Sequence, residues 1–428
     1  MTSLTQRDRR VIWHPYTQHK HQQAPIPIVL GKGTLLSDEN DKTYIDAISS
    51  WWVTIHGHAH PYIAQKLYEQ ALRLEQVIFT GFTHEPAVSL AERLLPLLPG
   101  DFSRVFYSDN GSTAVEVALK MALQYWKNVR SDGGGGRNKI LALHNSYHGD
   151  TFGAMSISER GIFTNAFRDY LFEPVFIDPP TEQNIGQLQA LLREQGEDIA
   201  CFIYEPLLQG AGGMHMYEAR HLDLLLAAAK EQGVLCIADE VLTGFGRTGA
   251  LFAGHHLTQT ADIICLSKGL TGGTMALGVT AATERVFEAF LSDDRRKTLF
   301  HGHSFTANPL ACTAGLASLD LLLAPDCMTR IKAINSRHTA FAERIKGFDI
   351  VRDVRILGTV IAFEIDHGDD GYINPMGLDL TRAALDEGIY LRPLGNTVYI
   401  LPPYCITDEE LEKVYGFIER YLNKQKAR

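Results

Sequence analysis

The chain has 428 residues, 45% of them hydrophobic, and a formal net charge of −10. That length can bury a large core and suggests two or three domains. The acidic balance argues against nucleic acid as the main partner, because phosphate binding wants a basic face. No apolar run approaches the roughly 20 residues that span a bilayer, so no membrane partner is expected. Residues 1–10 are polar and lack the apolar stretch of a secretory signal. The six cysteines, Cys201, Cys236, Cys265, Cys312, Cys327 and Cys405, are far apart, and the first three sit in apolar, strand-like runs. Six reduced thiols in a cytoplasmic protein without a zinc site are expected.

In chain order, His56-Gly57-His58-Ala59-His60 comes first. Alternate residues of a strand share a face, but no carboxylate cluster lies nearby, so solvated or locally satisfied histidines are favoured over a metal site. Val105-Phe106-Tyr107 reads as a strand, and 112–126, rich in Ala, Leu, Met, Glu and Lys, as a helix. Asp132-Gly133-Gly134-Gly135-Gly136 reads as a flexible surface loop, without the lysine of a phosphate loop. Short strands are predicted over 139–143, 200–204, 234–238 and 263–266. The Leu/Ala-rich segment 218–232 reads as a helix that stops at Gly233.

Wholly apolar strands alternating with helices predict an α/β fold, its mostly parallel sheet covered on both faces. After about residue 325 the pattern changes to helices with shorter strands, such as 360–364 and 398–401. The expected division is a large domain over 52–325 and a smaller α+β domain from 1–51 and 326–428. There is no internal repeat.

Ligands on such sheets sit beyond the carboxyl ends of the strands. Asp239, Lys268 and the segment 108–112 fall there. Two charges closing two buried strands are costly unless paired or used, and one cofactor between them is the economical explanation. Lys268 follows an apolar run and precedes Gly-Leu-Thr-Gly-Gly. A desolvated lysine loses affinity for its proton and becomes a nucleophile, as a Schiff base with an aldehyde requires. Asp239 can hold a protonated pyridine nitrogen. Together these are the protein's two main contributions to pyridoxal-phosphate chemistry. Gly111 and Ser112 begin a predicted helix, where unpaired amides and the helix dipole favour an anion. Tyr147 can stack on a pyridine face.

These residues, with Asp-Glu-Val-Leu-Thr-Gly-Phe-Gly-Arg-Thr-Gly at 239–249 and His-Gly-His-Ser-Phe-Thr-Ala-Asn-Pro-Leu-Ala at 301–311, resemble the class III pyridoxal-phosphate aminotransferases of fold type I. The resemblance covers almost the whole chain. Trp13-His14-Pro15-Tyr16-Thr17, Ser49-Ser50-Trp51-Trp52, the stretch from Tyr147 to Ser156 and Leu391-Arg392-Pro393 are most like the biotin-pathway branch. That branch passes an amino group from S-adenosyl-L-methionine to 8-amino-7-oxononanoate, giving 7,8-diaminononanoate.

The resemblance implies roles. Lys268 is the Schiff-base lysine and proton shuttle, Asp239 the partner of the ring nitrogen, and Tyr147 the ring's cover. Gly111 and Ser112 bind the phosphate. Gly302, His303 and Ser304 reach the phosphate and substrate from a neighbouring subunit, implying a homodimer. Serine stands where threonine is usual, His303 where proline or serine is commoner, and Ala307 where glycine is usual. Arg392 pairs with the oxo acid's carboxylate, in a fork that lysine does not match. Tyr16, Trp51 and Trp52 line a pocket suited to a methylene chain and to a sulfonium. Adjacent strand residues face opposite ways, so one indole, Trp51, is expected on the substrate. One site serving two substrates in turn implies ping-pong kinetics. Lysine as donor, another class III transaminase acting on an ω-amino acid or a diamine, and an aminomutase remain as alternatives.

Overall fold

The computed structural model describes residues 3–20, 23–129, 137–366 and 374–426. At its centre lies a seven-stranded sheet. Its strand order is Phe102–Ser108, Gly278–Thr283, Ile263–Leu266, Leu235–Asp239, Ile199–Tyr204, Lys139–Leu143 and Val175–Ile177. Gly278–Thr283 runs antiparallel to both neighbours, and the other pairs are parallel.

Alternation along these strands splits their side chains between two apolar layers. Ile140, Ala142, Cys201, Ile203, Leu235 and Ile237 pack with Ala114, Ala118 and Ala122 of the helix Gly111–Val129. Their neighbours Leu141, Leu143, Phe202, Tyr204, Cys236 and Ala238 enter the main core, with Leu222, Leu225 and Leu226 of the helix Ala219–Glu231. Both faces being covered, the strands read as continuous apolar runs. The second helix stops as its sequence predicts, with Gly233 at φ +72°. All six cysteines are free thiols, and the three on the sheet are fully buried.

Two further sheets flank this core. Ile28–Lys32, Leu35–Asp38 and Thr43–Asp46 share a four-stranded sheet with Ile389–Tyr390, while Val351–Leu357, Val360–Ile365 and Thr397–Ile400 form an antiparallel three-stranded one. Leu401 N donates to Ala47 O at 2.9 Å, and Ser49 Oγ donates to Leu401 O at 2.8 Å. These bonds fasten the segment carrying Trp51 and Trp52 to the C-terminal strands near Arg392.

The His56–His60 segment is irregular rather than a strand. His58 Nε2 lies 2.8 Å from Asp46 Oδ2 and His56 Nε2 lies 3.1 Å from Ser318 Oγ, burial pushing the latter imidazole down to about 3. Among the described residues no group of three His, Cys, Asp or Glu is placed to hold a metal ion. The predicted loop 132–136 lies outside the described residues. No single described helix is long and apolar enough to cross a membrane; Pro309–Leu322 and Pro325–Ile345 qualify only together, across a 72° bend.

Candidate active site

The loops beyond the carboxyl ends of the parallel strands surround a cavity of about 760 Å³ lined by Lys268, Asp239, Tyr147, Trp51, Trp52 and Arg392, among others. Parallel pairing sets Asp239 level with Cys265, three residues before Lys268. Lys268 opens a short 3-10 turn with φ +46°. That backbone is costly for a side-chain-bearing residue and marks a position held by its surroundings.

Asp239 is buried, with both oxygens engaged: Oδ1 accepts from Val241 N at 3.1 Å, and Oδ2 lies 2.6 Å from His148 Nδ1. The adjacent Glu240 serves the scaffold instead. It accepts from Ala253 N and Gly254 N, each at 2.7 Å, and from Thr243 Oγ1 at 3.0 Å. Lys268 Nζ stands 4.7 Å from the centre of the Trp52 ring. As a residue Lys268 is only half-buried because it lines the cavity, yet desolvation brings its amine down to about 8, against opposing pulls from Asp239 and Glu205. The amine is therefore partly neutral near pH 8. The rate at which cofactor aldehyde recombines with cofactor-free protein is accordingly expected to rise with pH and level off above about pH 8. A stopped-flow absorbance series checks this, and a rate still climbing steeply at pH 10, as an unperturbed lysine near pKa 10.4 would give, contradicts it.

The cavity suits an aromatic anion of this kind. At the start of the helix Gly111–Val129 the backbone has no room for a side chain, since a Cβ on Gly111 would lie 2.6 Å from Val241 Cγ1. Facing it, a Cβ on Gly149 would lie 2.3 Å from Ser112 Oγ. Ser112 Oγ accepts from Thr151 N at 3.0 Å and shares a 2.8 Å bond with Thr151 Oγ1. The result is a close-walled cup at a helix N-terminus, the place for a phosphate. Deeper in, the buried His148 Nε2 has no partner among the described residues, a vacancy that a bound group would relieve. Tyr147 lines the cavity, its phenol held neutral by burial and by Tyr16 and Asp150.

Around the mouth, the Tyr16 hydroxyl bonds Asp150 Oδ2 and lies 3.1 Å from the Tyr147 hydroxyl. The Tyr16 and Trp51 rings meet at 5.4 Å, and the Arg392 guanidinium lies 4.9 Å from the Trp51 ring centre. Residues Ser49–Trp52 form a short helical turn with irregular backbone rather than a strand. The alternation argument for one indole therefore fails in its premise, and both Trp51 and Trp52 line the cavity. Trp52 is buried, its Nε1 donating to the Tyr399 hydroxyl at 2.9 Å, whereas Trp51 is 43% exposed.

Gly302, His303 and Ser304 do not line this cavity in their own chain. The loop is held from below, with Gln76 Nε2 donating to Ser304 O at 2.6 Å. Ala307, at the position where glycine is usual, adopts φ +55°, the left-handed backbone that glycine takes without strain.

Three residues were not singled out from the sequence. His148 sits inside the stretch from Tyr147 to Ser156, but the side chain it meets, Asp239, is 91 positions away. Asp150 likewise meets Tyr16 only in space. Glu205 did carry a signal: like Asp239, it closes an apolar run, Ile199–Tyr204. It lines the cavity and accepts from Tyr147 N at 3.0 Å and Gly210 N at 2.9 Å, with burial pushing it up to about 7.

A family model described as Aminotransferase class-III matches residues 16–422. The adenosylmethionine-8-amino-7-oxononanoate aminotransferase of Synechococcus elongatus is 45% identical over 423 residues, 96% of this chain and 98% of that one. The protein of the same name from Helicobacter pylori is 37% identical, over 97% of each. The crystal structure of the Methanocaldococcus jannaschii protein of that name superimposes with a TM-score of 0.91 at 33% identity, covering 96% of this chain and 98% of that one. An amine transaminase from an uncultivated Pseudomonas species, solved with PLP bound, gives 0.89 at 28% identity, covering 97% and 98%. Class III aminotransferases work with pyridoxal phosphate, and the cavity has the cup, the carboxylate and the lysine for it. The chain belongs to the class III aminotransferases.

Proposed function

We propose that this chain transfers an amino group from S-adenosyl-L-methionine to 8-amino-7-oxononanoate, giving 7,8-diaminononanoate for biotin synthesis, as a cytoplasmic homodimer. The observation that carries the reading is the convergence of Arg392, Trp51, Trp52 and Tyr16 on the cavity that holds Lys268. An aromatic wall with a guanidinium suits a chain that is apolar along its length and anionic at its end. The same aromatic faces attract a sulfonium. Relatives carrying that activity in their names support the substrates.

Pyridoxal phosphate supplies, when bound, an electron sink for the amino-bearing carbon. Ser112 and the helix N-terminus at Gly111 would anchor its phosphate, and Asp239, oriented by His148, would set a negative charge against the ring nitrogen. Among the described residues Lys268 is the only lysine lining the cavity; its amine would hold the cofactor aldehyde and would take and return a proton at Nζ. Tyr147 would cover the ring and, with the indoles that line the same cavity, keep water away from it. Gly302, His303 and Ser304, turned from their own cavity and flanked by the exposed Phe300 and Phe305, are assigned to the partner's phosphate cup.

The test offers adenosylmethionine, lysine, glutamate and alanine separately, with 8-amino-7-oxononanoate as acceptor, and detects 7,8-diaminononanoate. Product with adenosylmethionine alone is expected. Product with lysine alone keeps the acceptor and overturns the donor, and no product in cofactor-loaded protein hands the cavity to another class III substrate. Arg392→Ala is expected to raise the KM of the oxo acid by about 10- to 100-fold, the loss of a charged hydrogen-bonded pair. An unchanged KM in steady-state kinetics would remove Arg392 from the carboxylate.

A further inference from the structure

A second cavity, of about 510 Å³, adjoins the first. Tyr147, Gly149, Asp150, Phe163, Ala211 and Leu394 line both, so the two are separated by a shared rim rather than by packed core. Their chemistry differs. The first is walled by aromatic rings around Lys268, whereas His215, Glu364, Asn396 and Thr397 face the second.

We propose that this second cavity seats the nucleoside of the amino donor, an inference that rests on the donor reading above. The two substrates differ most in their far ends. The oxo acid is a plain chain ending in a carboxylate, which the first cavity accommodates. A sulfonium donor carries in addition a ribose and a purine, whose hydroxyls and ring nitrogens call for hydrogen-bond partners that the rings of the aromatic wall do not supply. The second cavity falls in the usual size range for ligand sites and lies on the rim beside Tyr147.

Its wall is fixed in place. Arg355 is buried, and its Nε donates to Met214 O at 2.8 Å and its Nη2 to Gly213 O at 2.5 Å. Its Nη1 pairs with Glu364 Oε1 at 3.3 Å and with Asp353 Oδ2 at 2.5 Å. Arg355 thus pins the turn before His215 and holds the Glu364 carboxylate at the cavity surface. A carboxylate so placed accepts hydrogen bonds from vicinal ribose hydroxyls, the contact that acidic residues make in dinucleotide sites. His215 is kept neutral by burial and by Arg355, so its ring can donate to or accept from a purine nitrogen.

The test uses holoenzyme and the two substrates of a ping-pong cycle, whose KM values are read separately. Glu364→Gln keeps the shape and leaves Arg355 its two carbonyls and Asp353; His215→Gln is the second variant. Each is expected to raise the KM for adenosylmethionine about tenfold and to move that for 8-amino-7-oxononanoate by less than about twofold. Adenosine alone is expected to inhibit competitively against adenosylmethionine, and less well in either variant. Both KM values rising together would mean that the residues only support the fold, and neither rising would place the nucleoside elsewhere; each overturns the proposal. Unmutated protein that takes amino groups from lysine and not from adenosylmethionine overturns the donor reading itself, before any variant is made.

Discussion

Lys268→Ala is expected to lower turnover by about 10⁴-fold or more while the protein still retains pyridoxal phosphate. The reason is the division of labour in the cavity. The phosphate cup at Gly111, Ser112 and Gly149 and the carboxylate of Asp239 lie on other elements, and neither needs Lys268 for its geometry. Binding therefore survives in part. Proton transfer does not, because among the described residues Lys268 is the only lysine lining the cavity. Glu205, which also lines the cavity, is turned to the amides of Tyr147 and Gly210. Single-turnover absorbance with the amino donor reads the chemical step, and equilibrium dialysis reads the cofactor. Loss of all bound cofactor would show the lysine to be the main anchor, and near-normal turnover would remove the site altogether. Added small amines separate the two roles, because a free amine can carry a proton into the space that the alanine vacates.

The inner parallel strands of the central sheet were legible in the sequence because they are buried on both faces, and burial leaves a mark in each of them independently. Ile199–Tyr204 and Ile263–Leu266 are apolar throughout and could be read alone. Gly278–Thr283, with three small residues and two threonines, has no such mark. It is a strand because Phe102–Ser108 and Ile263–Leu266 hold it from either side, and nothing local announces that it runs backwards. The same distinction sorts the site. Lys268 and Asp239 were legible as charges at the ends of apolar runs. His148 was not, since its significance is a 2.6 Å contact with Asp239 at the end of a distant strand. Trp51 and Trp52 were visible as residues but were assigned to a strand. The turn Ser49–Trp52 takes left-handed backbone at Ser49, Ser50 and Trp52, and no propensity rule places non-glycine residues there. The second cavity was invisible for a related reason: its wall brings His215, Glu364 and Asn396 together from distant positions, with Arg355 as the tie.

Asp239→Ala is expected to weaken both rate and cofactor affinity, by about 3–5 kcal/mol in total, or roughly 10²- to 10⁴-fold. Asp239 is 4% exposed and is held on one side by Val241 N and on the other by His148. Its removal costs twice: the ring nitrogen loses the charge that favours its proton, and the buried His148 Nδ1 loses its acceptor. Asp239→Asn separates these losses, because an amide keeps the size of the carboxylate and can still bond His148, but brings no charge. If charge at the ring nitrogen drives the chemistry, Asp239→Asn loses nearly as much rate as Asp239→Ala and keeps more of the cofactor. If orientation through His148 is what counts, Asp239→Asn retains most of the rate and His148→Leu loses it. Rates from single-turnover absorbance and cofactor affinity from dialysis, measured on the three variants, decide between them. Full rate in Asp239→Ala would deny the carboxylate any part in the reaction. The first outcome is expected, because a full negative charge at a buried position holds the proton on the ring nitrogen more strongly than any neutral dipole of the same size.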